Sequence, residues 1–271
     1  MESLMNSDDA SGSTSWRTGC GYVVFSLLFF LVVAGLVALR PVRQAKRVEQ
    51  NLNNRFGDAR SFVPNPDGSV SPDRIETFLA VRGHLREPCG EFDKRHARLE
   101  EIGEMEETGE ISWTDLVDGF KVSLGIGPGF LHLMKARNEG LTEEGMGIGE
   151  YTYIYVLAYN RRLSELAEES EEKQLFKART REELTQILRN QLTSLKAGQE
   201  RTDLDDLKSG LEEEISRLEA GDHAFPWQRR LPPHLAASFS PYRGLLDDSF
   251  CEATVRLELR QKNQHPSGLG K

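Results

Sequence analysis

Residues 151–159 read Tyr-Thr-Tyr-Ile-Tyr-Val-Leu-Ala-Tyr, and the assignment of this nonapeptide decides the fold. Nothing in it is charged, and drawn as a helix it is largely apolar around the whole circumference. Its aromatic and β-branched content would also suit a strand. Strong helix formers continue from it without a turn signal through Arg161, Arg162, Leu163, Glu165 and Leu166, and no partner strand is evident. The segment therefore reads as a helix, the central and most buried one, and the chain as all-α. Steps of four place Tyr151, Tyr155 and Tyr159 along one side of that helix, with Tyr153 elsewhere. Such a row either packs in the core with its hydroxyls bonded or lines an internal ligand cavity.

Helices are expected on both sides of it. Ser71-Pro72 is a helix start, with Ser as N-cap and Pro at the first helical position. Ile75, Phe78, Leu79, Leu85, Cys89, Phe92, Leu99 and Ile102 then form one broad stripe, in which Pro88 predicts a kink or short break. Ser112 to Asp115 resembles a capping box opening a helix through Leu124. Gly125-Ile126-Gly127-Pro128-Gly129 is expected to break it before a short helix from Phe130 that ends at Gly140, after which Thr142 caps the tyrosine segment. Leu184, Ile187, Leu188, Leu192 and Leu195 share a face, as do Leu204, Leu207, Leu211, Ile215 and Leu218, which predicts an antiparallel pair over Arg181–Leu195 and Asp203–Ala220. The Phe225-Pro226-Trp227 loop packs down as a lid over the helix ends or forms a protein-binding edge. A final helix restarts at Pro241 behind Ser240.

A second stretch sets the setting. Tyr22 to Leu39, YVVFSLLFFLVVAGLVAL, is uncharged and closed by Arg17 and Arg40. The roughly twenty-two residues between those arginines would reach about 33 Å as a helix, enough to cross a hydrocarbon core of about 30 Å. A cleaved signal peptide fits less well, because the run exceeds the usual h-region and Arg40-Pro41 follows where small residues are expected. Arg40, Arg43, Lys46 and Arg47 crowd the carboxyl flank, and the positive-inside rule would keep the large domain in the cytoplasm. The layout of short tail, span and large carboxyl domain is that of an exported signal anchor, and long domains translocate largely regardless of charge. The balance favours export. The expected organisation is a disordered acidic tail over residues 1–18, a transmembrane helix over 19–40, a basic juxtamembrane helix and linker over 41–70, an irregular multi-helix bundle domain over 71–263 and a loose tail over 264–271.

Beyond Leu39 the chain holds 33 basic and 40 acidic residues, a net charge of −7 that disfavours nucleic acid as a partner. Cys89 and Cys251 are the only cysteines outside the anchor region. In an oxidising compartment they could close a long loop; otherwise they are two buried thiols.

No catalytic signature stands out. The glycine runs 125–129 and 145–149 lack the strand, helix and lysine context of a phosphate loop, and read as helix breaks or close helix approaches. The six histidines include no paired Glu-x-x-His motif, His84 with Glu87 and Glu91 lies opposite the apolar stripe, and no Gly-x-Ser-x-Gly elbow occurs. No metal or cofactor is expected.

The anchor, together with PDGSVSPDRIETFLAVR, GMGIGEYTYIYVLAYNRRL and LPPHLAASFSPYRGLL, resembles an uncharacterised family of bacterial single-pass membrane proteins with helical extracytoplasmic domains. The resemblance spans most of the chain beyond Leu39. It implies a bacterial source and an exported domain, and it carries no activity or site residue with it. The expected function is a membrane-tethered, non-enzymatic module that binds another envelope protein; the alternative is a ligand-binding or enzymatic domain with a cavity beside Tyr151 to Tyr159.

Overall fold

Pro72 opens the first long helix because it lacks an N–H that would go unsatisfied there, and the Ser71 carbonyl accepts the amides of Arg74 and Ile75. The computed structural model describes residues 47–108, 113–169, 178–197, 205–252 and 255, all within one unit of the chain, residues 45–271. Among these residues there is no strand. Helical residues 47–56 and a 3-10 turn, Ala59–Ser61, precede eight α-helices: α1 Pro72–Thr108, α2 Trp113–Glu143, α3 Ile148–Ala158, α4 Asn160–Glu169, α5 Ala178–Ala197, α6 Asp205–Ala220, α7 Pro233–Phe239 and α8 Arg243–Ser249.

The tyrosine segment is helical, as its sequence predicts. Ile154 and Leu157 are buried, though Ala158 is only half-buried. Around α3 close Ile75, Phe78 and Val81 of α1, Leu184, Ile187 and Leu188 of α5, Leu211 and Leu218 of α6, Phe225, and Leu246 of α8. Leu52 joins the same core from residues 47–56. Each of these large side chains contributes about 1.5–3 kcal/mol by leaving water. The predicted lid is present: Phe225 and Pro226 are buried. The predicted pair is present too. Arg189 meets Glu219 at 2.7 Å and Lys196 meets Glu212 at 2.6 Å, so α5 and α6 run antiparallel.

Four expectations need correction. Of the kink or short break expected at Pro88, the break does not occur: α1 runs through Pro88 to Thr108. The 125–129 glycine run likewise lies inside α2. Antiparallel packing explains both: His84 lies 3.3 Å from Glu144, and further along Phe92 stands against Gly129, so each helix supports the other past its weak residues. α2 ends at Glu143 rather than near Gly140. The left-handed residue that stops it is Gly145, at φ +68°, with the Met146 amide returning to the Leu141 carbonyl. Thr142 is consequently no cap; its hydroxyl donates to the Asn138 carbonyl inside α2, and Gly147 takes the N-cap position of α3. Finally, α3 does not run on unbroken. Tyr159, at φ −105° and ψ 15°, separates it from α4. The short helix α7 was not foreseen, since its two leading prolines read as loop.

Gly149 shows why a glycine run precedes the tyrosines. A Cβ there would stand 2.3 Å from the Ala59 carbonyl oxygen, so only glycine admits the 3-10 turn this close to α3. Arg74 seals the same corner with two 2.6 Å hydrogen bonds to Glu150. The Glu150 partner holds the Arg74 guanidinium above its ordinary range despite partial burial.

Among the described residues no helix is long and apolar enough to cross a membrane. The Tyr22–Leu39 run, the tails, Cys20 and the flank residues Arg40, Arg43 and Lys46 lie outside them; Arg47 is described and exposed.

Candidate functional site

The tyrosine row is where the sequence offered either core packing or an internal cavity. Tyr151, Tyr155 and Tyr159 are all buried, with ring centroids 6.1 Å apart for the first pair and 4.9 Å for the second, and Phe78 and Phe250 close against the row's two ends. Arg82 lies 1 % exposed beside them. Its Nη1 donates to the Tyr151 hydroxyl at 3.0 Å, Nε and Nη2 donate to the Ser249 carbonyl at 3.1 and 2.6 Å, and its guanidinium lies 5.5 and 5.6 Å from the Tyr155 and Tyr159 ring centres. Tyr159 shares a 2.8 Å hydrogen bond with the Ser249 hydroxyl. A buried guanidinium is tolerated where its donors find acceptors and aromatic faces. The row is thus an arginine-centred core that binds α1 to α3 and the end of α8.

Tyr153 points elsewhere, as expected, and donates to the Gly68 carbonyl at 3.0 Å. Burial pushes its hydroxyl well above the usual tyrosine range, with Asp67 adding to the shift.

Cys89 and Cys251 carry free thiols and share one small apolar cluster with Leu85 and Leu133. The Cys251 thiol also approaches Asp93 at 3.6 Å. His84 meets Glu143 at the end of α2 and Glu144 just beyond it rather than Glu87 and Glu91 of its own helix. Among the described residues no group of three or more His, Cys, Asp or Glu side chains is placed to hold a metal ion.

The concave feature of this face begins where the tyrosine row ends. A pocket of about 390 Å³ is lined by Leu157, Ala158 and Tyr159 from the end of α3, by the start of α4, by Arg229–Leu231, and by α7 and α8. Its floor is apolar, through Leu157, Leu231, Phe239 and Leu246, and five arginines line it: Arg161, Arg162, Arg229, Arg230 and Arg243. Tyr159 is the one residue of the expected cavity that reaches it; Tyr151 and Tyr155 do not line it.

Two local devices bring the arginines together. The interruption at Tyr159 starts a new helix, and α4 carries Arg161 and Arg162 onto the pocket wall. Opposite them, the loop after α6 is fastened from several sides. His223 Nδ1 and the Trp227 amide both meet Glu214 Oε1, at 2.7 and 2.8 Å, in a buried corner. Asn160 Nδ2 donates to the Trp227 carbonyl at 3.1 Å, the Ser164 hydroxyl bonds the Gln228 carbonyl, and Gln228 Oε1 accepts the Ala224 amide at 2.7 Å. These bonds hold Trp227 at φ +53°, a conformation unusual for a bulky residue, and fix where Arg229 and Arg230 emerge.

The charges are unevenly used. Arg162 pairs with Asp247 at 3.1 Å and lies over the Phe250 ring, and Arg161 reaches Glu165 at 3.4 Å in solvent. The side chains of Arg229, Arg230 and Arg243 make no hydrogen bond or ion pair among the described residues. Among the described residues, Asp247 is the only acidic one lining the pocket. Sequence reasoning missed this cluster, although a signal existed: the tripeptide Arg-Arg-Leu occurs at 161–163 and again at 229–231. No protein-family model matches the chain, and no curated protein or solved structure shows significant similarity to it.

Proposed function

We propose that this chain is a membrane-tethered, non-enzymatic binding module of the cell envelope, with its domain on the extracytoplasmic side and another envelope protein as its partner. The Tyr22–Leu39 run supports the tether, as an uncleaved signal anchor, and the family resemblance supports a bacterial envelope setting. The observation that carries the binding role is the chemistry of the arginine-lined pocket. It offers guanidiniums over an apolar floor, one carboxylate already engaged by Arg162, and a Ser164 hydroxyl committed to backbone carbonyls. Such a surface attracts and orients an anionic partner without supplying a nucleophile or a general base.

Crosslinking in intact membranes followed by purification of the chain should recover one stoichiometric envelope partner, and repeated recovery of none overturns the reading. A reporter active only after export, fused after Lys271, should be active; activity from a cytoplasmic reporter alone would reverse the topology. Export would also place the Cys89 and Cys251 thiols, which share one cluster, where a bridge can form. Non-reducing peptide mapping reads that state directly. The second reading, a small-ligand domain, is favoured by the pocket volume, which falls within the range of small-molecule sites.

A further inference from the structure

Five arginines around about 390 Å³ is a dense positive charge for a chain whose net charge is −9. Asp247 pairs with Arg162 and Glu165 with Arg161, so three of the five arginines keep no carboxylate partner among the described residues. Self-repulsion among so many guanidiniums is unfavourable unless an anion relieves it. Three of the five, Arg229, Arg230 and Arg243, keep their side-chain donors uncommitted among the described residues, while the loop that carries two of them is fastened by four buried or half-buried side chains, Glu214, His223, Asn160 and Ser164. The donors are therefore free and their attachment is fixed, which is the arrangement that lowers the ordering cost of binding. Guanidinium forks match the oxygens of phosphate and carboxylate, and three unpaired guanidiniums in so small a space match a doubly charged group better than a single carboxylate. The floor of Leu157, Leu231, Phe239 and Leu246 asks for an apolar portion on the same molecule.

We infer that this pocket binds a phosphate monoester carried on a small apolar group. The phosphate is gripped by Arg229, Arg230 and Arg243 at the rim, and the apolar portion covers the floor. This rests on the reading of the pocket as a binding surface and names the chemical group it takes. The same group occurs on free organic phosphates and on the headgroup of an anionic lipid.

The test uses the full chain purified into phosphatidylcholine nanodiscs, titrated calorimetrically with phenyl phosphate, with inorganic phosphate and with the peptide acetyl-Glu-Phe-Glu-amide. Phenyl phosphate is expected to bind about tenfold more tightly than inorganic phosphate, through the floor. Arg243→Gln and the pair Arg229→Gln with Arg230→Gln should each weaken it about tenfold or more without lowering the thermal midpoint, since these side chains make no hydrogen bond or ion pair among the described residues. Replacing a tenth of the lipid with phosphatidic acid then separates the sources. Competition with phenyl phosphate assigns the group to a lipid headgroup, and its absence assigns it to a free ester; either supports phosphate binding. The inference is overturned by no binding of phenyl phosphate, by binding equal to that of inorganic phosphate, or by binding indifferent to the arginine substitutions. It is equally overturned by a peptide that binds tenfold more tightly than the ester, which would reassign the pocket to an acidic protein segment. Because this titration contains no partner protein, its failure and a failure to recover an envelope partner are separate results.

Discussion

Arg82 and Arg230 bring the same guanidinium to opposite ends of accessibility. Arg82 is enclosed by α1, the tyrosine row and Ser249, with its charge spread over a phenol, a carbonyl and two aromatic faces. Arg230 stands exposed at the pocket, without a side-chain hydrogen bond or ion pair among the described residues. The difference separates two uses of one residue type. Inside, the charge is part of the fold and its loss takes donors from buried acceptors; outside, the charge is held ready and its loss leaves the fold intact.

Substitutions can break or sharpen that contrast. The largest effect belongs to the core itself. Ile154→Asp puts an unpaired carboxylate where Ile154 is 1 % exposed, and should cost more than about 4 kcal/mol, enough to leave no cooperative thermal transition in circular dichroism. Arg82→Ala comes next. It removes a donor from the Tyr151 hydroxyl and two from the Ser249 carbonyl and opens space against the tyrosine rings, for an expected loss of about 3 kcal/mol in chemical denaturation. A loss under about 1 kcal/mol would show that Arg82 is not a structural centre.

Tyr153→Phe is smaller and depends on pH. Near neutrality it removes one buried hydrogen bond, worth about 1 kcal/mol. The folded state holds the Tyr153 hydroxyl above its ordinary value near 10, so the neutral phenol is favoured by folding. Its contribution is full below pH about 10 and is lost as pH rises toward the raised folded value, at up to about 1.4 kcal/mol per pH unit. The wild-type domain should lose stability on that alkaline limb more steeply than Tyr153→Phe; equal slopes would place the titration elsewhere. Least of all, Arg230→Gln should change the unfolding free energy by less than about 0.5 kcal/mol. A larger loss would mean that the rim arginines serve the fold after all.

What the sequence disclosed follows from the range of the forces involved. The α5 and α6 stripes were legible because Leu184, Ile187 and Leu188, or Leu211 and Leu218, repeat at helical spacing within one element. The tyrosine helix was legible from its uncharged run and its helix-forming continuation. The helices run on through Pro88 and the 125–129 glycines because their cost is local while the compensation is not: it comes from the facing helix, which no window of sequence contains. The pocket was illegible for a related reason. Arg161 and Arg229 lie far apart in the chain and meet only because Tyr159 interrupts a helix and Glu214 gathers the Trp227 loop, and neither device has a periodic signature. Tyr159 could be assigned to the central helix from sequence, but not the ending of the helix at that residue.

Gly68 carries a consequence for how the chain is made. It sits at φ +75° against Gln191 and Tyr153, with no space for a side chain, and its own carbonyl is bonded by Tyr153, 85 residues downstream; the neighbouring Pro66 carbonyl is bonded by Gln191, 125 residues downstream. At a synthesis rate of about 5–20 residues per second, the turn is polymerised roughly 6 to 25 s before Gln191. Late in that interval, once residue 143 has been made, α1 and α2 can pair, while the segment that follows the basic flank stays unfastened. The most amino-terminal part of the domain is therefore among the last to lock, and a ribosome stalled before residue 191 displays residues 64–70 open to protease.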